Sequence, residues 1–204
     1  MCENCLGLII ISIVCFGVGI VLIKNFSLQR NVFTLYIALF FILNGFGYLI
    51  WFLSTEWIFD VYGEMKNFIL LIGFLPQIVL LYFILSFYEV RLYIRITIII
   101  AATVLSTLDL FIPLLRIYIF DPSFRLYFII SSIIYTANIV LFLRNWRRNN
   151  DLNSLFFSLG LFFNMIAMIF NYFSKSIQGV LLMITASIWA ITYSNIIDVV
   201  FKDE

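Results

Sequence analysis

Between Phe68 and Tyr88 the chain runs 21 residues without a charged side chain, and it closes on Glu89 and Arg91. Wound as an α-helix at about 1.5 Å per residue, such a stretch covers the roughly 30 Å hydrocarbon core of a bilayer. A hydropathy window marks six companions, giving Leu6–Ile23, Val32–Leu53, Phe68–Tyr88, Ile96–Ile112, Leu126–Leu143, Leu155–Phe173 and Gly179–Val200. Together they occupy 137 of the 204 residues and leave 67 for every connection and both tails. The expected fold class is all-α: a polytopic membrane protein, a bundle of seven transmembrane helices, with residues 1–204 as a single transmembrane domain. The fourth stretch is the weakest, with 17 residues before Pro113 and Asp109 inside it. If it were re-entrant, the span count would fall to six and the C-terminus would change sides.

Composition decides the solvent. Apolar residues make up 64% of the chain and charged residues 11%, against about a quarter charged in soluble domains. The lipid bilayer is therefore the first partner. The net charge of +1 and the lack of a basic tract exclude nucleic acid as a partner. Histidine is absent, which removes His-based acid–base chemistry, His metal sites and Ser-His or Cys-His nucleophiles together. No enzyme activity, metal or cofactor is expected. Cys2 and Cys5 have metal or redox spacing but no second pair, and read as incidental thiols on the N-terminal tail. Cys15 reads as an apolar filler within the first span.

Orientation follows from the basic residues. Met1 to Cys5 holds no Lys or Arg, whereas Lys24 follows the first stretch, so that stretch reads as a retained anchor with its N-terminus outside. The inner segments then carry Lys24, Arg30, Arg91, Arg95, Arg144, Arg147, Arg148 and Lys202; the outer ones carry Lys66, Arg116, Arg125 and Lys175. That excess follows the positive-inside rule and places the C-terminus inside.

Within the spans, polar residues recur at helical spacing and so share faces: Asn44 with Tyr48, Gly73 with Gln77, and Ser106 with Asp109. Ser131, Tyr135 and Asn138 form a stripe, as do Gly160, Asn164 and Asn171, and Thr185, Trp189 and Thr192. Packing between membrane helices is the common use of such residues, at about 0.6 kcal/mol per interhelical hydrogen bond. As a set, Tyr48, Gln77, Asp109, Tyr135, Asn171 and Thr185 fall at mid-depth or in the outer half. They are the candidate ligand-binding residues, with Asp109, Gln77 and Asn171 as an outward-facing polar pocket. Pro76 is expected to kink the third helix.

Two resemblances bear on function. Asn44-Gly-Phe-Gly-Tyr48 with Trp51, then Pro76-Gln-Ile-Val-Leu-Leu-Tyr-Phe83 and Ser86-Phe-Tyr88, resemble the second and third helices of the seven-helix sensor region of prokaryotic histidine kinases. The likeness spans Thr34 to Tyr88, and no kinase domain follows Val200. It implies a stand-alone sensor or receptor-like module in a prokaryotic cell membrane. Such a module would bind a small or lipidic ligand in its outer half and signal through a cytoplasmic or membrane partner. Pro76-Gln77 is also similar to the signature dipeptide of PQ-loop transporters, although it occurs once here. That implies the alternative, a small secondary transporter with a midplane site. A structural subunit of a membrane complex is the third reading.

Overall fold

The computed structural model describes residues 3–55, 62–111, 126–171 and 173–193. They form seven α-helices: α1 (Cys5–Gln29), α2 (Val32–Leu53), α3 (Tyr62–Phe87), α4 (Leu92–Phe111), α5 (Leu126–Asn149), α6 (Leu152–Phe170) and α7 (Lys175–Tyr193). All seven are long and apolar enough to cross a membrane, α4 included. Cys2, the acidic connection with Glu56 and Asp60, Pro113, and the end of the seventh stretch with Asp198 lie outside the described residues.

Four helices, α1, α3, α4 and α5, are longer than their apolar stretches, because hydropathy registers the edge of the lipid whereas a helix ends where its hydrogen-bond ladder is interrupted. Local chemistry supplies those interruptions. The Asn31 side chain accepts the Phe33 N–H at 3.0 Å and starts α2, and Asp151 accepts the Asn153 N–H at 3.1 Å and starts α6. Arg30, Glu89 and Asn150 stand in the left-handed region with φ of 51°, 53° and 51°. Each turns the chain sharply after α1, α3 or α5, a place usually taken by glycine.

α1 packs between α2 and α7, and the contacts α2–α3, α3–α5, α5–α6 and α6–α7 close a ring of six helices. α4 lies outside this ring, against α3 and α5, and leaves most of its Ile- and Val-rich surface uncovered. The ring closes tightly where α1 meets α7. A Cβ on Gly7 would stand 2.5 Å from the Gly179 carbonyl oxygen, so only glycine permits this backbone approach. Beside it, Asn4 Nδ2 donates to Gln178 Oε1 at 2.7 Å inside the protein. Cys5, at the same end, is disulfide-bonded and is therefore not the incidental thiol its sequence context suggested. Cys15 is free and buried.

The half of the ring away from the N-terminus is filled by rings of another kind. Phe40 and Phe41 of α2, Phe157 of α6 and Trp189 of α7 meet at centroid distances of 5.0–6.5 Å. Phe142 of α5 joins at 4.6 Å from Phe157 and stacks on Phe83 of α3 at 5.5 Å. Offset and edge-on pairs of this sort add about 0.5–1.5 kcal/mol each beyond burial. The result is an aromatic plug across the bundle.

Candidate functional site

Above the plug, toward the N-terminal face, the packing changes from rings to gaps. Gly47 of α2 faces Gly73 of α3, whose Cα lies 3.7 Å from where a Gly47 Cβ would be. Two helices meet there without side chains between them. A cavity of about 30 Å³ opens beside them, lined from four helices by Asn44, Gly47, Tyr48 and Trp51, by Ile69, Leu70 and Gly73, by Tyr127 and Tyr135, and by Met168. This is room for one or two water-sized molecules.

Its polar wall is a chain of hydrogen bonds. The Tyr48 hydroxyl donates to Asn164 Oδ1, and Asn164 Nδ2 donates to the Tyr135 hydroxyl at 3.1 Å. Asn164 is fully buried, so a single amide links α2, α6 and α5. The Tyr127 hydroxyl donates to the Leu70 carbonyl at 3.0 Å, tying α5 to α3. Gln77 and Ser131 lie next to this phenol. Asn44 Nδ2 stands apart: it is buried, its residue lines the cavity, and it has no hydrogen-bond partner. A buried donor left unpaired costs about 1–3 kcal/mol, so this position favours an occupant that offers an oxygen.

The expected site residues divide by place. Tyr48 and Tyr135 line the cavity. Gln77 is buried behind it; its Nε2 donates to the Gly73 carbonyl at 3.3 Å, and its Oε1 has no partner. Pro76 sits within an unbroken α3, where it withholds the N–H that would have bonded Ile72. Asp109 is 1% exposed and lies off the cavity. Its Oδ2 accepts the Tyr127 N–H at 3.0 Å, capping the start of α5 from a neighbouring helix, while its Oδ1 has no partner. Asp109 thus holds the backbone of the residue whose ring lines the cavity. Asn171 is the C-cap of α6, partly exposed, with its N–H on the Ala167 carbonyl at 3.1 Å. Thr185 bonds the Leu181 carbonyl of its own helix at 2.9 Å, and α7 contributes nothing to the cavity lining. Asp109, Gln77 and Asn171 are therefore not among the residues lining this cavity.

Tyr127 and Met168 line the site without having been singled out, and Trp51 was named only as part of the resemblance. Tyr127 stands at the start of the fifth apolar stretch, where an aromatic reads as an interfacial anchor. Its partner is a backbone carbonyl, which no side-chain pattern announces. Among the described residues, no three His, Cys, Asp or Glu side chains come together, and the cavity offers hydrogen-bond donors and aromatic faces rather than charge. Comparison with protein families, with curated proteins and with solved structures finds no match to this chain.

Proposed function

We propose that this seven-helix membrane protein is a receptor-like module that binds a small, uncharged molecule with an acceptor oxygen in the cavity between α2, α3, α5 and α6. It acts by binding rather than by catalysis. The observation that carries the reading is the unpaired Asn44 donor set among Tyr48, Tyr127 and Tyr135. A ligand of more than a few atoms exceeds the 30 Å³ available, so its entry must part α2 from α3 at the Gly47–Gly73 contact. That helix displacement is the signal a partner would read, because the packed helices on either side do not deform continuously. The aromatic plug beneath the cavity favours binding over passage. In this reading the N-terminal face is outside, which agrees with the Lys and Arg distribution and with a disulfide at Cys5, since disulfides persist in oxidising compartments.

The test uses linear ketones and alcohols of graded chain length as probes, with melting temperature and tryptophan fluorescence as readouts on the purified protein. A subset should stabilise the wild type and fail on Asn44→Leu, and on Gly73→Val, which fills the space. Equal responses from wild type and both variants across the whole series would remove the cavity from consideration. Uptake of labelled sugars or amino acids by liposomes containing the protein would overturn the reading in favour of transport.

A further inference from the structure

The opposite end of the bundle carries a second concavity, unrelated to the first. It measures about 590 Å³, and the described residues lining it are Val140, Leu143, Arg144, Trp146, Arg147 and Arg148, from the last turns of α5. Positions 140, 144, 147 and 148 fall on one helical face. The face begins apolar and ends cationic: Val140 is 60% exposed, and the three guanidinium groups follow toward the helix end.

Among the described residues these arginines are unpaired, and a specific arrangement accounts for it. Asp151, the nearest carboxylate in the sequence, is fully engaged. It accepts from the Asn153 N–H at 3.1 Å, from Asn145 Nδ2 at 3.2 Å and from the Ser154 hydroxyl at 2.5 Å. Asn145 also donates to Ser154 Oγ at 2.8 Å, so the turn between α5 and α6 is locked with its acid turned toward α6. Among the described residues, Arg144, Arg147 and Arg148 have no hydrogen-bond or ion-pair partner. Arg95, at the same end of the bundle, shows the contrast. It donates to Ser86 Oγ at 2.6 Å and to the Val90 carbonyl at 2.9 Å, and lies 5.0 Å over the Tyr82 ring.

We propose that this concavity binds an anionic phospholipid, its phosphate held by Arg144, Arg147 and Arg148 and its first acyl chain lying along Leu143 and Val140. The chemistry selects the occupant. Guanidinium forks match phosphate oxygens two at a time, and all three basic groups are Arg rather than Lys. An acidic protein segment would satisfy the charge but not the apolar run continuing from it into the bilayer. Trp146 stands at the level where interfacial aromatics sit. Arg147 and Arg148 also meet the negative end of the α5 dipole, and that contribution is the same in any lipid, so lipid class separates the two roles. The inference does not rest on the cavity near Asn44.

The experiment uses the full chain in detergent, titrated with phosphatidylglycerol or phosphatidylcholine, with lipids retained in native mass spectrometry and melting temperature as readouts. Wild type should retain phosphatidylglycerol selectively and melt higher with it. At about 1 kcal/mol per basic residue near the surface, each arginine contributes about fivefold in retention. The triple variant Arg144→Gln, Arg147→Gln, Arg148→Gln should therefore lose the preference almost entirely. Arg144→Gln, which lies outside the last turn and spares the dipole, should lose about fivefold even if the triple variant does not fold. Arg91→Gln, off this face, should keep the wild-type preference. Equal retention of the two lipids by wild type, or an unchanged preference in Arg144→Gln, would overturn the proposal. So would full stabilisation by inorganic phosphate alone, which would make the ligand a free anion.

Discussion

Replacing Gly160 by alanine strikes the aromatic plug at its tightest point. An ideal Cβ at Gly160 would stand 2.5 Å from Cδ1 and 2.8 Å from Cε2 of Trp189, and nearer still to Nε1. Restoring an ordinary 3.4 Å contact requires the indole to retreat by more than about 0.9 Å, which forces side chains off their preferred rotamers or shifts the backbone. Trp189 is fully buried, with Phe41 at 5.0 Å and Phe40 at 5.9 Å between ring centroids, so it has nowhere to go without moving them. Overpacking of this kind costs about 1–3 kcal/mol. Alanine gains back about 1 kcal/mol of helix propensity, and because two rings block the retreat the net loss should lie near 1–2 kcal/mol. For a chain of this size that lowers the melting temperature by about 2–8 °C. Gly17→Ala is the matched control. Nothing lies within 4 Å of its Cβ position, so only the propensity gain remains and its melting temperature should rise. Trp189→Phe removes the clashing atoms. The double variant with Gly160→Ala should therefore be more stable than the two single effects predict, by about 0.5–1 kcal/mol. Melting in one detergent, measured for all four proteins, decides the matter. A Gly160→Ala protein that melts at or above Gly17→Ala would refute this packing.

Asp109→Asn keeps an acceptor for the Tyr127 N–H and should cost less than about 1 kcal/mol, whereas Asp109→Leu removes the cap and should cost about 1–2 kcal/mol. Equal melting of the two variants would show that the contact at 3.0 Å contributes nothing. Cys15, buried in α1, should resist maleimide in the folded protein and react fully in SDS; rapid labelling without SDS would contradict its burial. A reporter active only in the cytoplasm should work when fused after Glu204 and stay silent when inserted near Asp60, and the reverse pattern would invert the proposed orientation.

Span number and the inward turn of polar residues were legible because both are local properties of a helix in lipid. Asn44, Tyr48, Gln77, Ser106, Asp109, Tyr135, Asn138 and Thr185 are all buried, as a shared face at helical spacing requires. What each one meets was not legible, since periodicity gives a direction and not a neighbour. Thr185 satisfies itself on its own helix, Asn171 ends one, and Asp109 finds a backbone N–H on another. The cavity is made as much by absent side chains at Gly47 and Gly73 as by present ones. Glycine in a membrane helix does not say whether it admits a neighbour or leaves a gap. The turns at Arg30 and Glu89 were hidden for a related reason, because a left-handed residue that is not glycine carries no signal in the sequence.

The meeting of Gly7 with Gly179 also sets an order of events during synthesis. Of the seven helices described, α1 reaches the bilayer first, and the partner of the buried Asn4 side chain at its start is 174 residues further along the chain. At about 5–20 residues per second, that separation is roughly ten to thirty seconds of translation. Over that interval α1 can pair with α2, but its second flank stays against lipid and the ring remains an open arc. α7 closes the arc by packing on α6 and α1 together. A ribosome that stops before Lys175 therefore releases a chain whose two free flanks, on α1 and α6, are both unmatched, and it is these that a membrane quality-control protease would meet.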